Sequence, residues 1–128
     1  MESNIKLCTD LKQSEKLKKI LPLETADMSY DWFIIGKEYS SIPQCRKFID
    51  DELPCWSLAA LLEGVLPNKI VVNHLGYEKS CIFSFSDNSW YLSYYNDVTF
   101  CTLVAIIKES LLDACYEMIL ELHKMNLL

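Results

Sequence analysis

Glycine is scarce in this sequence. Three glycines in 128 residues leave no Gly-rich loop of the kind that cradles a phosphate or turns under a dinucleotide, and the zinc-protease helix pattern is missing as well. Proline contributes four residues, so glycine and proline together fall far below the level of a disordered or low-complexity chain. No run of 18 apolar residues occurs, which excludes a transmembrane helix. Histidine is limited to His74 and His123, and neither lies in a recognisable motif. Closely spaced cysteines are lacking too. Cys8, Cys45, Cys55, Cys81, Cys101 and Cys115 are never nearer than ten positions, whereas a thiolate metal site draws two ligands from one short loop. No metal and no cofactor is therefore expected.

Basic charge is also in short supply. Twelve Lys and Arg stand against 18 Asp and Glu, a formal charge of −6. A dedicated nucleic-acid binder takes most of its non-specific affinity from phosphate neutralisation, so nucleic acid is the less favoured partner. The opening Met1-Glu2-Ser3-Asn4-Ile5-Lys6 carries no apolar leader, and reduced thiols in a cytoplasmic protein are the expectation. What the chain does have is a composition that is 51% hydrophobic and 12% aromatic. That is enough to bury a core without staples, and residues 1–128 read as a single domain.

The densest apolar stretch is Leu53-Pro54-Cys55-Trp56-Ser57 followed by Leu58–Val65. Ser57 suits an N-cap. Leu58, Leu61, Leu62 and Val65 repeat at the spacing of one helical face, and Gly64 and Pro67 supply stop signals. With Glu63 its one charge, this short central helix is expected to be buried on most sides. Upstream, Asp10 and Gln13 read as a capping box for a helix over Thr9–Leu21, with Leu17, Ile20 and Leu21 as its apolar edge. Tyr30–Ile35 suits a short strand ended by Gly36, and residues 36–52 read as loop.

Downstream the sequence turns β-branched. Lys69–Asn73 and the pair Ser80–Ser86 and Ser89–Tyr95 read as strands, the last two joined as a two-residue hairpin at Asp87-Asn88. Alternation puts Cys81, Phe83 and Phe85 on one face with Trp90, Leu92 and Tyr94, and puts Ile82, Tyr91, Ser93 and Tyr95 on the other. Residues 100–107 favour a fourth strand by composition, although so short an apolar run also suits a helix. Ser110 and Asp113 then open the clearest helix, Leu111 to about Met125, whose buried stripe is Leu111, Leu112, Cys115, Met118, Ile119, Leu122 and Met125. These pieces define an α+β fold: an antiparallel sheet of three to four strands packed on the central short helix and a long C-terminal helix, with an N-terminal helix.

Three blocks resemble one family. They are residues 7–11 continuing through Ile20-Leu21-Pro22-Leu23-Glu24-Thr25-Ala26-Asp27-Met28, then Glu52-Leu53-Pro54-Cys55-Trp56-Ser57-Leu58-Ala59-Ala60-Leu61-Leu62, and Ser110-Leu111-Leu112-Asp113-Ala114-Cys115-Tyr116-Glu117-Met118. The family comprises small uncharacterised proteins from the genomes and prophages of gut anaerobic bacteria. The resemblance covers most of the chain and is weakest over 36–50. It implies a mobile-element setting and a cytoplasmic protein, and it carries over no catalytic residue.

The candidate functional residues follow from surface chemistry. Lys12, Lys16 and Lys19 stand at i, i+4 and i+7 with Lys18 beside them, a basic face on the first helix. A solvated lysine face is the favoured reading, and a site for nucleic acid or an acidic protein is the alternative. Trp90, Tyr91, Tyr94 and Tyr95, with Trp32, suit cross-strand core packing better than a base-stacking platform, because the strands supply few cations. Tyr91 and Tyr95 on an open face would mark a protein-binding patch. His74, past a strand end, is the one candidate for an enzymatic role, weighed against an ordinary loop-edge histidine. The four cysteines in apolar stretches, Cys55, Cys81, Cys101 and Cys115, read as buried structural thiols. The leading expectation is a non-enzymatic protein-interaction module with an unidentified protein partner, a homodimer through the open sheet face being a further expectation. The alternative is a nucleic-acid accessory protein that uses the lysine face.

Overall fold

A computed structural model describes residues 6–33, 38–44 and 52–128. The fold is α+β, with antiparallel sheets, an N-terminal helix and a longer C-terminal helix. Contacts divide the chain into two compact units, Leu7–Val65 and Leu66–Leu128, the second including the residues up to Lys6.

In the Leu7–Val65 unit, helix α1 spans Leu11–Lys18. Its capping box forms as the sequence requires: Asp10 Oδ1 accepts from the Gln13 N–H at 2.8 Å, and Gln13 Oε1 accepts from the Asp10 N–H at 3.1 Å. The helix ends earlier than its periodicity suggests, with Lys19 as C-cap. Leu17 and Leu21 are nevertheless buried, and the turn continues past the helix, the Leu21 N–H donating to the Leu17 carbonyl at 2.8 Å. Strand β1 covers Met28–Phe33, β2 covers Glu38–Gln44 and β3 covers Leu53–Cys55. They form a second sheet in the order β2-β1-β3, antiparallel throughout.

This sheet corrects the reading of residues 36–52 as loop, since β2 falls within them; Ile34–Gly36 lie outside the described residues. Pro43 and Pro54 hid both outer strands. Proline cannot donate to a ladder, but each lies on an edge strand, where a partner is needed on one side only.

The segment after β3 keeps its Ser57 cap, whose Oγ accepts from the Ala60 N–H at 3.1 Å. Asp27 holds that cap in turn, accepting from both the Ser57 N–H and its hydroxyl. The expected α-helix is wound differently: after Leu58 and Ala59 it widens to a π-helix over Ala60–Val65. Leu61 is fully buried, but Ala59, Glu63 and Gly64 are exposed. Burial on most sides is therefore replaced by burial centred on Leu61, with Leu62 and Val65 only half-buried.

The polar centre of this unit is Thr9, which is fully buried. Its Oγ1 accepts from the Trp56 N–H at 3.1 Å and pairs with Ser14 Oγ at 2.8 Å, while its carbonyl accepts from Tyr30 Oη at 2.8 Å. Cys55 Sγ lies 3.6 Å from Thr9 Oγ1 and 3.4 Å from the Thr9 carbonyl. Burial, the largest cause, pushes the Cys55 thiol up to about 12.

In the Leu66–Leu128 unit, strands β4 (Lys69–Val72), β5 (Leu75–Ser84), β6 (Ser89–Asn96) and β7 (Cys101–Lys108) form one antiparallel sheet in sequence order. Residues 101–108 are thus strand. Helix α2, Leu111–Lys124, is capped by Ser110, whose Oγ accepts from the Asp113 N–H at 3.3 Å. Lys6 pairs with Asp113 at 2.9 Å. Helix α2 packs on β6 and β7 and buries Leu112, Ala114, Cys115, Met118, Ile119 and Leu122 completely. Two residues drop out of the expected stripe: Leu111, half-buried at the first position of the helix, and Met125, 40% exposed, because the helix ends at Lys124 and Met125 is its C-cap. Burial pushes the Cys115 thiol to about 12 and raises the neighbouring Tyr94 phenol as well. Tyr94 Oη donates to the Pro67 carbonyl at 2.6 Å. Among the described residues, no helix is long and apolar enough to cross a membrane.

Candidate functional site

Pairing in the four-stranded sheet fixes which side chains share a face. Cys81 opposes Leu92, Phe83 opposes Trp90, and Lys79 opposes Tyr94. This is the α2 side, and Leu92 and Tyr94 are fully buried there. On the opposite face Ile82 stands across from Tyr91, and Tyr91 across from Ile107. One apolar row therefore crosses three strands, with exposures of 61%, 36% and 53%. Beside it lie Ser80, Ser93 and Ala105, then Glu78, Tyr95 and Thr102. Directly opposed side chains lie about 5 Å apart, so the row is one continuous surface.

A carboxylate stands at each end of this face, Asp87 alone and Glu78 with Lys69 opposite it. Tyr91 Oη donates to Asp87 Oδ2 at 3.2 Å, and that bond is the main cause that raises the phenol. At the other end Glu78 is exposed, opposing Lys69 and Tyr95. The Lys69 side chain crosses Gly76, where a β-carbon would collide with it.

The loop joining β5 and β6 corrects an expectation. It has four residues, Phe85–Asn88, and Asn88 is its positive-φ position. Phe85, expected on the core face, sits in this turn at 90% exposure and meets Phe83 edge-on with ring centres 5.0 Å apart. The two-residue hairpin is instead at Asn73-His74, between β4 and β5, with φ of 52° and 67°. Both residues lie in the left-handed region that such a tight turn demands. His74 is exposed there. Its side chain adds steric cost at that φ, so His74→Gly is expected to raise stability by about 0.5–1 kcal/mol. Urea unfolding of the two proteins measures this, and a loss on substitution would show that the imidazole makes a stabilising contact.

The β6–β7 connection presents two side chains that sequence reasoning did not mark. Val98 is 81% and Phe100 is 77% exposed, and Phe100 holds φ at 58°, an uncommon conformation for a bulky residue. The loop is held by Asn96, which is nearly buried. Its Oδ1 accepts from the Val98 N–H, the Thr99 N–H and the Thr99 hydroxyl, and its Nδ2 donates to the Gly76 carbonyl at 2.7 Å. Composition alone offers no signal for such exposure, since Phe100 reads as the start of an ordinary strand and Val98 is apolar.

In the other unit, Lys12, Lys16, Lys18 and Lys19 are all exposed on α1 and its C-cap. An open depression of about 380 Å³ lined by Glu15, Lys18, Lys19 and Leu53 lies beside them. Tyr30 and Trp56, in the same unit, are buried and offer no stacking surface to a nucleic acid there. The side chain of Trp32 lies outside the described residues. Of the cysteines expected to be buried, Cys55 and Cys115 are, but Cys81 and Cys101 are exposed. Cys101 begins the edge strand β7 just after the turn, paired with Asn96 on one side only; Cys81 faces the α2 side from β5, while the helix packs chiefly over β6 and β7. Among the described residues, no group of three His, Cys, Asp or Glu side chains is placed to hold a metal ion.

No protein-family model, curated protein or solved structure matches the chain.

Proposed function

We propose that the chain is a small non-enzymatic protein-interaction module, cytoplasmic and of the mobile-element kind that its family resemblance implies, whose binding face is the open side of the four-stranded sheet. The exposed Ile82–Tyr91–Ile107 row carries this reading. An apolar row with a tyrosine at its centre has the composition of an interface core, and its polar flanks resemble a rim. The occupant that suits it is a protein surface with an apolar centre and basic side chains around it. Asp87 flanks the row, and the chain as a whole carries −6, so such a partner gains favourable charge contacts and faster encounter. Tyr95, half-buried on the same face, extends the patch toward Glu78. A second copy of this acidic chain gains no such charge match.

The test is affinity capture from lysate of the native host, using the wild type beside an Ile82→Ser, Tyr91→Ala, Ile107→Ser variant. All three side chains are at least 36% exposed, so the variant is expected to melt at nearly the wild-type temperature. Truncating the centre of an interface costs about 2 kcal/mol or more, and capture should fall by more than tenfold. A nuclease-resistant protein retained equally by both forms would remove the sheet face from the proposal. Recovery of nuclease-sensitive material alone, lost in the Lys12, Lys16, Lys18 and Lys19 alanine variant, would favour the nucleic-acid alternative.

A further inference from the structure

Cys8 and Cys55 are 47 positions apart in sequence, yet they meet at one polar cluster. The segment before α1 pairs with the residues after β3: Cys8 bridges Ser57 antiparallel, the Thr9 N–H donates to the Trp56 carbonyl at 2.9 Å, and the Leu58 N–H donates to the Leu7 carbonyl at 2.9 Å. Ser57 is two residues past Cys55, so side-chain alternation puts both thiols on one side of this short ladder. Tyr30 lies against both thiols. Its hydroxyl lies 4.0 Å from Cys8 Sγ and donates to the Thr9 carbonyl at 2.8 Å, the same oxygen that lies 3.4 Å from Cys55 Sγ. Cys8 packs against the buried cluster of Tyr30, Leu53 and Cys55.

The two thiols differ in access. Cys8 is partly exposed and Cys55 is fully buried. A sensing cysteine needs access to solvent, and a second thiol close by can resolve its oxidised form. We propose that Cys8 and Cys55 are an oxidant-responsive pair, in which a hydroperoxide oxidises Cys8 and Cys55 then closes an intramolecular disulfide. In the first step the Cys8 thiolate attacks a peroxide oxygen. An S–O bond forms, the O–O bond breaks, and the leaving hydroxide takes up a proton as water; Cys8 sulfur loses two electrons and becomes a sulfenic acid. In the second step Cys55 sulfur attacks Cys8 sulfur. The S–S bond forms, the S–O bond breaks, and hydroxide leaves with the proton from Cys55 as a second water. Two thiols and one hydrogen peroxide give one disulfide and two waters.

The fold supplies a reason for the order of events. Burial keeps Cys55 protonated at neutral pH, so it is a poor first nucleophile and is shielded from direct over-oxidation. The product would tie the segment ahead of α1 to β3. Closing so long a loop restricts the unfolded chain, so the oxidised form should melt several degrees higher.

The full chain is treated with hydrogen peroxide, alkylated, digested without reductant and mapped by mass spectrometry. The expected result is a Cys8–Cys55 cross-linked peptide, a mass loss of about 2 Da and reversal by dithiothreitol, as a dithiol–disulfide couple requires. Cys8→Ser, at the partly exposed position, should fold and lose both the cross-link and the rise in melting temperature. Cys55→Ser should leave Cys8 to proceed to sulfinic or sulfonic acid, and the Cys8→Ser result stands if that buried variant does not fold. Over-oxidised Cys8 in the wild type, without cross-link, overturns the proposal. So does a disulfide confined to other cysteines, such as Cys81 with Cys115.

Discussion

Replacing Trp56 by Ala is expected to lower the stability of the Leu7–Val65 unit by about 4 kcal/mol, the usual range for emptying a buried tryptophan site. The indole is fully buried and its Nε1 donates to Thr25 Oγ1 at 2.9 Å. Thr25 in turn closes the short turn Leu23–Thr25 by donating to the Pro22 carbonyl at 2.6 Å. One side chain thus fills the centre and pins a connection. Backbone pairing between Thr9 and Trp56 fixes the ends of the site, so the walls cannot collapse fully into the space left behind. At about 0.05–0.15 kcal/mol per residue, a unit of this size holds roughly 3–9 kcal/mol in total, and Trp56→Ala should bring it close to its unfolding midpoint at 25 °C. Trp56→Phe keeps most of the volume and loses the hydrogen bond, for an expected cost of about 1–2 kcal/mol. Urea titration followed by circular dichroism compares the three proteins. If Trp56→Ala cost no more than Trp56→Phe, the ring volume would not be what stabilises this core.

Asn96→Ala is expected to cost about 3 kcal/mol, from four hydrogen bonds each worth about 1 kcal/mol and partly replaced by water. Asn96 is 7% exposed and works in two directions. Its carbonyl oxygen gathers the Val98 and Thr99 donors of the turn, while its amide reaches across the sheet to the Gly76 carbonyl on β5. Removing the side chain frees the turn that keeps Phe100 at its positive φ and uncouples it from β5. Asn96→Asp separates the two functions. The carboxylate retains the turn acceptor but sets an oxygen against the Gly76 carbonyl, so its cost should fall between wild type and Ala at pH 7. A cost for Asp equal to that for Ala would assign the stabilisation to the Gly76 bond alone. Amide exchange at Val98 and Thr99 gives a local reading of the same effect, and both should exchange faster in the Ala variant.

Much of the fold was legible because it is encoded locally. Asp10 with Gln13, Ser57, and Ser110 with Asp113 announced three helix starts, since a cap needs only residues a turn apart. The strands of the larger sheet are marked by β-branched and aromatic runs, although β5 begins at Leu75, ahead of the Ser80 start that composition suggests, and residues 100–107 also suit a helix by composition; the Trp90, Leu92, Tyr94 alternation names the buried face correctly. The second sheet was not legible. Its outer strands contain Pro43 and Pro54, residues that argue against a strand until one knows the strand lies at an edge. The two-residue hairpin reads at Asp87-Asn88 and forms at Asn73-His74, because both pairs tolerate positive φ and sequence alone does not show which pair the flanking ladders bring into a two-residue loop.

The candidate face divides in the same way. Tyr91 and Tyr95 could be placed on the side away from the core from alternation alone. That Ile82 and Ile107 join Tyr91 in one row depended on the register between β5, β6 and β7, which residues distant in sequence decide together. The convergence of Cys8, Tyr30 and Cys55 on Thr9 has the same origin. Short-range pattern suffices for the α+β class, the helix starts and the polarity of the larger sheet, because these depend on neighbours within a few residues. Tertiary structure alone decided the second sheet, the exposed row and the thiol pair, because each requires segments far apart in the chain to meet.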